Sequence, residues 1–304
     1  MSKNKQLKQP KKLNQQHNGF VISRFGQEAD IELESGEQIR CHLRRKLENL
    51  VCGDNVICET QDNGKSVVVQ ILPRRSVLER PIRYQGLKAV AANLDQICIV
   101  VSIEPDFSEL ILDKYLVASE LAEIPPIIIF NKSDLEAVND EIKARLNCYQ
   151  ELGYPLVWSS VKSGDGMNQI TQKLNDHSSV FVGQSGVGKS SLINYLLPEV
   201  EAEVSIISDN SGLGTHTTTA SRLYHFGENG RIIDSPGIRD FSMEHVSKER
   251  LAFGYIEIHK YSGSCKYRNC IHTKEPNCAV KRAVEEKNID AGRYQRYLKI
   301  LAEE

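Results

Sequence analysis

The stretch Gly183-Gln184-Ser185-Gly186-Val187-Gly188-Lys189-Ser190 decides how this chain folds. It matches the pattern G-x-x-x-x-G-K-S/T and lies between an apolar predicted strand, Ser179–Val182, and a predicted helix, Ser191–Leu197. The glycines allow backbone amides to converge on phosphate oxygens at a helix N-terminus. We therefore predict a phosphate-binding loop in which Lys189 reaches the β- and γ-phosphates, Ser190 holds Mg²⁺, and Ser191 adds a further contact.

A second phosphate-linked motif, Asp234-Ser235-Pro236-Gly237, follows the predicted strand Arg231–Ile233. An Asp at a strand end can organise the water shell of Mg²⁺, and the amide of Gly237 can contact a γ-phosphate. The pattern D-x-x-G alone usually marks a turn. Downstream of a phosphate loop, it indicates a nucleotide-dependent switch.

The tetrapeptide Asn131-Lys132-Ser133-Asp134 ends the apolar stretch Pro126–Phe130. A carboxylate here can accept hydrogen bonds from both the N1–H and the 2-amino group of guanine, which adenine cannot match. Because leaving such a carboxylate unpaired is costly, we expect the site to select GTP over ATP. Asn131 is expected to approach N7 of the base or to tie loops together, and Lys132 to lie along the base.

A third loop is expected to complete the guanine pocket. Ser159-Ser160-Val161-Lys162 follows the predicted strand Leu156–Trp158, and we count Ser159 and Ser160 among the nucleotide contacts.

The region from 79 to 244 shows the alternation of an α/β domain. Ile97–Ile103 and Pro126–Phe130 are uniformly apolar, as expected for parallel strands covered on both faces. Leu110–Glu120 has helical spacing, and a further helix is predicted to start at Asp134-Leu135.

Before this domain lie a basic tail and a small barrel. Residues 1–14 contain five lysines and no acids, so we expect a disordered tail. Residues 15–78 show short alternating strands separated by turn formers, which favours a closed five-stranded barrel of the oligonucleotide/oligosaccharide-binding (OB) type; an SH3-like barrel fits the strand count almost as well. The predicted strands are Gly19–Phe25, Ala29–Leu33, Gln38–His42, Asn55–Thr60 and Ser66–Ile71.

The segment 245–304 contains a Cys/His cluster between helical segments. Cys265, Cys270, His272 and Cys278 supply three thiolates and one imidazole, enough to fill a tetrahedral Zn²⁺ site, so one structural zinc ion per subunit is expected. The five other cysteines are expected to be free thiols in a reducing compartment.

Charge is segregated along the chain. Residues 1–90 carry a balance of +6, residues 91–259 a balance of −12 and residues 260–304 a balance of +4. Basic ends around an acidic middle suggest that the ends approach a polyanion. No apolar stretch approaches the length needed to cross a bilayer and none follows the N-terminal lysines, so we expect a soluble protein without a membrane partner.

The order of the motifs carries a family resemblance. The guanine-reading motif precedes the phosphate loop, as in circularly permuted GTPases. This change of motif order is physically tolerable because all the motifs occupy loops at one edge of the sheet. With a barrel before and a Cys/His cluster after, the chain resembles the ribosome small subunit-dependent GTPase A (RsgA, YjeQ or YloQ) family. The resemblance implies a cytoplasmic, monomeric, zinc-containing GTPase that binds the 30S subunit and 16S rRNA late in assembly and leaves after hydrolysing GTP to GDP.

The resemblance also assigns a catalytic group. No Gln follows the D-x-x-G motif to orient water, so slow turnover is expected until a partner completes the site. The segment Gly212–Thr219 matches the family's first switch, in which His216 corresponds to the histidine credited with hydrolysis and Thr218 is expected to contact Mg²⁺ and the γ-phosphate. His216, Lys189 and Thr218 form the predicted catalytic group.

Two other functions remain open from the sequence. The missing Gln leaves room for an RNA-binding module whose nucleotide site is only a sensor. A GTPase of large-subunit assembly shares the permuted order, but the barrel and the Cys/His cluster disfavour it.

Overall fold

The computed structural model describes residues 15–61, 64–82, 86–198, 221–235, 243 and 246–303. The predicted fold class is confirmed: an N-terminal barrel, a central α/β P-loop domain and a C-terminal helical unit that carries the Cys/His cluster. None of the described helices is long and apolar enough to cross a bilayer.

Five strands close the N-terminal barrel. Hydrogen bonds run in the order β1-β2-β3-β5-β4 and return from β4 to β1, with β3 and β5 parallel and the other pairs antiparallel. This strand order and closure are those of an OB barrel, and they exclude the SH3-like barrel that the strand count also allowed. The strands are β1 Gln15–Phe25, β2 Glu28–Leu33, β3 Gln38–Leu43, β4 Asn55–Thr60 and β5 Ser66–Ile71, and a 3-10 turn covers Arg45–Leu47.

A hairpin that the sequence did not reveal joins the barrel to the central domain. Its strands are β6 Val77–Ile82 and β7 Gly86–Ala92. Pro81 within β6 weakens the strand pattern, which is why propensity alone missed it. The hairpin is tied back to the barrel where the Ala92 amide donates to the Cys52 carbonyl at 3.0 Å.

The central sheet has the order β10-β9-β8-β11-β13-β12, parallel except for β12. All seven residues of β8 are buried, which explains its uniformly apolar sequence. The strands are β8 Gln96–Ser102, β9 Pro126–Asn131, β10 Leu156–Trp158, β11 Ser178–Val182, β12 Arg222–Phe226 and β13 Gly230–Asp234. The helices are α1 Glu109–Leu121, α2 Asp140–Glu151, α3 Met167–Leu174 and α4 Lys189–Leu196.

One helix begins later than predicted. A helix was expected from Asp134-Leu135, but α2 starts at Asp140. The capping residue decides the start: the Asn139 side chain accepts from the Ile142 amide at 3.1 Å. Asp134 instead accepts a hydrogen bond from a neighbouring loop.

The barrel packs against the edge of this sheet. Ser23 of β1 pairs with Arg222 of β12, which covers the edge strand. Beside this pair, His225 lies 2.9 Å from Glu32, and the Arg231 guanidinium lies 4.1 Å from the centre of the Phe20 ring. The barrel is therefore held by side chains as well as by its connecting chain.

In residues 246–303, the described part of the C-terminal unit, four helices surround the Cys/His cluster. They are α5 Lys248–Phe253, α6 Ile256–Ser262, α7 Ala279–Glu285 and α8 Ala291–Ala302. The closing helix α8 was predicted, and Asp290 caps it by accepting from the Arg293 amide at 2.7 Å.

A buried ion-pair network fastens this unit to α1. The guanidinium of Arg293, fully buried, donates to Asp113 of α1 at 2.7 Å and to Glu257 of α6 at 2.7 and 3.1 Å. Arg296 donates to the second oxygen of Asp113 at 2.7 Å, and Tyr149 donates to the first at 2.6 Å. Asp113 is itself fully buried, and these donors satisfy both of its oxygens.

Removing the central arginine should be costly. We predict that Arg293→Ala lowers the free energy of unfolding by about 3–5 kcal/mol, because it leaves two buried carboxylates without their shared partner. Urea unfolding followed by circular dichroism measures the loss. The matched control is Arg282→Ala on α7, an exposed arginine for which a change within about 0.5 kcal/mol is expected. Equal losses in the two variants would contradict a structural role for the network.

Candidate nucleotide site and metal centre

The predicted phosphate loop connects β11 to α4 at the carboxyl edge of the sheet. Gly183 has φ +142°, and a Cβ there would lie 2.2 Å from the Val100 carbonyl oxygen, so the loop can cross β8 only with glycine. Gly188 precedes α4 with φ +96°. The strand, turn and helix therefore have the context that a phosphate loop requires.

Lys189 lies across this loop. Its ammonium donates to the carbonyls of Gly183 and Gln184, both at 2.6 Å. Ser190 and Ser191, in the first turn of α4, are exposed. The cation and the hydroxyls thus stand at the helix N-terminus, where an anion is favoured.

Asn131 joins the guanine motif to the phosphate loop. Its Nδ2 donates to the Val187 carbonyl at 3.0 Å inside the protein, across 56 positions of sequence. A Cβ on Gly188 would lie 2.3 Å from this nitrogen. Of the two roles expected for Asn131, the structure shows the second: its side chain connects two loops by a hydrogen bond.

The rest of the guanine motif meets the third loop. The Ser160 hydroxyl donates to Asp134 Oδ1 at 2.6 Å, which lowers the pKa of Asp134, and the Lys162 ammonium, 4.0 Å from Oδ2, acts in the same direction. The Ser133 amide donates to the Ser159 carbonyl at 3.0 Å. Asp134 is therefore ionised near neutral pH, as acceptance from guanine requires.

Two buried polar atoms of this region have no hydrogen-bond partner in the described protein: Asn131 Oδ1 and Ser159 Oγ. Buried polar atoms are normally satisfied, and unpaired ones call for an explanation. Both belong to the predicted base pocket, so a bound ligand or water is the natural partner.

Lys132 makes a contact that was not predicted from the sequence. Its ammonium donates to the Glu104 carbonyl at 2.7 Å, and the Ser102 hydroxyl donates to the same oxygen at 2.7 Å. The loop after β8 therefore forms another wall of the site. The loop could have been predicted from its position directly after an apolar parallel strand, because ligands bind at the carboxyl ends of such strands.

The D-x-x-G motif begins at the end of β13. Burial raises the pKa of Asp234, and the positive charge of Lys189 opposes that shift. The Ser235 and Ser221 hydroxyls are 2.6 Å apart. Gly237, His216 and Thr218 lie outside the described residues.

The four predicted metal ligands converge. Cys265, Cys270, His272 and Cys278 place one ligand atom each within 4.8 Å of one another. The Cys278 and Cys265 sulfurs lie 3.4 and 3.5 Å from His272 Nδ1 and 3.8 Å from each other. Bonds of about 2.3 Å to a tetrahedral zinc ion would place sulfurs about 3.8 Å apart, so the donor set fits such an ion. His259, another possible ligand, packs against the Phe253 ring in a tilted arrangement instead, with the ring centres 4.6 Å apart.

The surroundings of His272 orient it for this role. Its Nε2 lies 3.1 Å from the Ser262 hydroxyl, so Nδ1 faces the sulfurs. Tyr294 donates to the His272 carbonyl at 2.6 Å, and Tyr297 donates to the Ile271 carbonyl at 2.8 Å. Burial lowers the pKa of His272, which keeps the imidazole neutral as a ligand must be.

With this geometry established, comparisons with known proteins identify the family. Residues 71–244 match the family model described as RsgA GTPase. The small ribosomal subunit biogenesis GTPase RsgA of Shewanella oneidensis is 47% identical over 302 residues, which cover 97% of this chain and 85% of that protein. The chain belongs to the RsgA GTPase family.

Further relatives agree with this placement. The protein of the same name from Histophilus somni is 45% identical over 93% of this chain and 83% of its own length. The crystal structure of YjeQ from Thermotoga maritima has a TM-score of 0.77 at 32% identity and covers 95% of this chain and 98% of that one. YloQ, described as a circularly permuted GTPase, has a TM-score of 0.74 at 29% identity, with 95% of both chains covered.

A substitution at Gly188 tests the hydrogen bond between Asn131 and Val187. We predict that Gly188→Ala weakens guanine-nucleotide binding about 5- to 100-fold, because its Cβ would displace the Asn131 amide and break a buried hydrogen bond. Titration with a fluorescent GDP analogue measures the loss.

A glycine elsewhere provides a matched control for this substitution. Gly153 has φ +94°, close to the value at Gly188, but a Cβ there would meet nothing within 4 Å. Gly153→Ala therefore carries the backbone strain without the clash and should bind nucleotide as the wild type does. Unchanged affinity in Gly188→Ala would show that the tie does not support the pocket.

Proposed function

We propose that this chain hydrolyses GTP to GDP and phosphate during biogenesis of the small (30S) ribosomal subunit, and that hydrolysis drives its release. The observation that carries the proposal is the hydrogen bond from Asn131 to Val187, which lie 56 positions apart and connect a guanine motif to a phosphate loop later in the chain. Such a permuted order accords with YloQ, described as a circularly permuted GTPase. The subunit comes from the printed names of the relatives.

Each predicted site residue receives a role in this proposal. Asp134 accepts from the guanine base, and the other residues of the motif, Asn131, Lys132 and Ser133, form the base pocket together with the Ser159-Ser160 loop. The phosphate loop 183–190, with Ser191, holds the phosphates through its amides and Lys189. Support comes from the unpaired Asn131 Oδ1 and Ser159 Oγ, two buried polar atoms that a bound ligand can satisfy.

The magnesium ligands follow from the same arrangement. Ser190 and Thr218 hydroxyls and the Asp234 carboxylate would hold Mg²⁺, directly or through water, and the ion would neutralise charge on the phosphates. Oxygen donors of this kind suit magnesium. His216 would orient or deprotonate the attacking water, and the Gly237 amide would contact the γ-phosphate.

We propose that the Cys/His cluster holds one structural Zn²⁺. Three sulfurs and His272 Nδ1 fill four positions, which leaves none for a substrate and assigns the ion a folding role. The cluster connects α6 and α7, and α8 packs against it through Tyr294 and Tyr297. The ion would therefore organise the whole C-terminal unit.

The barrel and the C-terminal unit are proposed to bind 16S rRNA. Both segments carry net positive charge, whereas the α/β domain is acidic. Phe25 is 48% exposed on the barrel beside Arg40, a suitable surface for a base, whereas Phe20 is covered by Arg231. We propose that the protein works as a cytoplasmic monomer and that its stable partner is the ribosomal subunit.

Hydrolysis assays with purified 30S subunits test the function. We predict that the subunits raise GTP turnover at least about tenfold, because no glutamine after the D-x-x-G motif orients water in the isolated chain. His216→Ala should reduce the stimulated rate about 100-fold while sparing GTP binding. His177→Ala, an exposed histidine before β11, is the matched control. Absence of stimulation in low salt would contradict the proposal, and an unchanged His216→Ala rate would remove that residue from the mechanism.

Metal analysis tests the zinc assignment. We predict that the purified chain contains one zinc ion. Cys278→Ser should lose this ion, and its free energy of unfolding should fall by several kcal/mol, because metal binding is part of the folding energy of such units. Mass spectrometry of the metal content and urea unfolding give the two measurements. Cys148→Ser, a half-buried thiol outside the cluster, is the control and should keep its zinc. Equal zinc content in both variants would contradict the assignment.

A further inference from the structure

The loop that joins β8 to α1, residues 103–108, contacts both motifs of the predicted nucleotide site; it is called the β8–α1 loop below. The Lys132 ammonium of the guanine motif donates to the Glu104 carbonyl at 2.7 Å. A Cβ on Gly186 of the phosphate loop would meet the Pro105 side chain at 3.4 Å, so the two loops lie against each other. The position of the β8–α1 loop therefore decides where the Lys132 ammonium is held.

Lys132 depends on such contacts for its conformation. Its backbone has φ +59°, a left-handed conformation that a residue with a side chain keeps only when its surroundings hold it. The Ser133 amide, which donates to the Ser159 carbonyl at 3.0 Å, fixes the backbone that follows. The Glu104 carbonyl fixes the side chain. Because Lys132 is expected to lie along the guanine base, a displaced Glu104 carbonyl would also displace Lys132 from the base.

Arg145 of α2 holds the far end of the β8–α1 loop. Its guanidinium donates to the Phe107 carbonyl at 3.3 Å and lies 4.9 Å from the centre of the Phe107 ring. It also forms an ion pair with Glu109, the first residue of α1. One side chain thus contacts the backbone of the loop, its aromatic ring and the helix that follows, which a planar guanidinium with several donors can do.

The Phe107 ring connects Arg145 to the strand that carries the guanine motif. Phe107 is buried and packs edge-on against Phe130 of β9, with the ring centres 5.7 Å apart. Phe130 directly precedes Asn131. The guanidinium covers one side of Phe107 and β9 the other, so the ring has little freedom to move.

The ion pair that orients Arg145 is stable near neutral pH. Burial raises the pKa of Glu109, but the hydrogen bond and the charge of Arg145 outweigh it, and the pKa is lowered. The Arg296 guanidinium of α8, 3.9 Å from the other carboxylate oxygen, acts in the same direction. The Glu109 carboxylate therefore stays charged and keeps Arg145 over the loop.

We propose that Arg145 is a positioning residue for guanine-nucleotide binding: it holds the β8–α1 loop so that the Glu104 carbonyl keeps Lys132 in place along the base. Arg145 belongs to none of the nucleotide motifs and acts on the nucleotide through the loop. A pocket whose side chains are already in place loses less freedom when the ligand binds, which strengthens binding. The inference rests on the proposed GTPase function, because it needs the guanine pocket.

A double-mutant cycle tests whether Arg145 acts through Lys132. We expect Arg145→Met to bind a fluorescent GDP analogue about fivefold or more weakly than the wild type. In a Lys132→Met background the same substitution should change the affinity by less than about twofold, because the side chain that Arg145 positions is then absent. The matched control is Lys143→Met, which removes an exposed cation from the same helix and should leave the affinity unchanged in both backgrounds.

A second variant keeps the test decisive if Arg145→Met folds poorly. Arg145→Lys retains a cation beside Glu109, but an ammonium lacks the planar fork that donates to the Phe107 carbonyl while covering its ring. We expect its urea midpoint to stay close to that of the wild type and its affinity for the GDP analogue to fall about threefold or more. The fraction of molecules that bind, taken from the end point of each titration, separates weaker binding from partial unfolding.

The outcomes distinguish this inference from the proposed function. Equal losses of affinity from Arg145→Met in the wild-type and Lys132→Met backgrounds would show a general structural effect and overturn the positioning role. Wild-type affinity in both Arg145→Met and Arg145→Lys would also overturn it, while a preference of the wild-type chain for GDP over ADP would leave the proposed function intact. A wild-type chain that binds the GDP and ADP analogues equally would instead contradict the proposed function, and the inference would fall with the guanine pocket.

Discussion

The candidate nucleotide site depends on one buried hydrogen bond, from the Asn131 amide to the Val187 carbonyl. It holds together two loops that the chain reaches in an unusual order, with the guanine motif first. Only glycine at position 188 leaves room for this amide, since a Cβ would lie 2.3 Å from its nitrogen. The order of the motifs along the chain can vary because all of them lie in loops at the same edge of the sheet. This hydrogen bond joins the guanine motif and the phosphate loop into one site at that edge.

The flanking units are held on the α/β domain by different chemistry. The barrel uses strand pairing with β12 and the contacts of His225 and Arg231. The C-terminal unit uses the buried Arg293 network on α1. The Cys/His cluster is therefore attached to the helix that follows the Glu104 loop, as well as to the chain that leaves the D-x-x-G motif. Two routes connect the nucleotide site to the metal unit, and the Glu104 carbonyl, bound by Lys132, lies on one of them.

Much of this arrangement was predictable because its signals are local. The strands of the barrel, the buried β8 and β9, the phosphate loop and the four metal ligands follow from residue type and spacing, and the structure has them within a few residues. The predicted start of α2 was wrong because Asp134 accepts a tertiary hydrogen bond from Ser160, whereas the side chain of Asn139 caps the helix. The hairpin was missed because Pro81 obscures a strand that is stabilised by contacts with the barrel.

The sequence by itself determined the motifs, their permuted order and the chemistry of the metal ligands, since each depends on residues close together in the chain. Only the tertiary structure decided the barrel type, the role of Asn131 and the Arg293 network. These depend on pairs separated by tens to hundreds of positions, such as Asp113 and Arg293, and residue types alone do not show which distant groups meet. Closure of the chain in three dimensions brings them into contact, and burial then makes the loss of either partner costly.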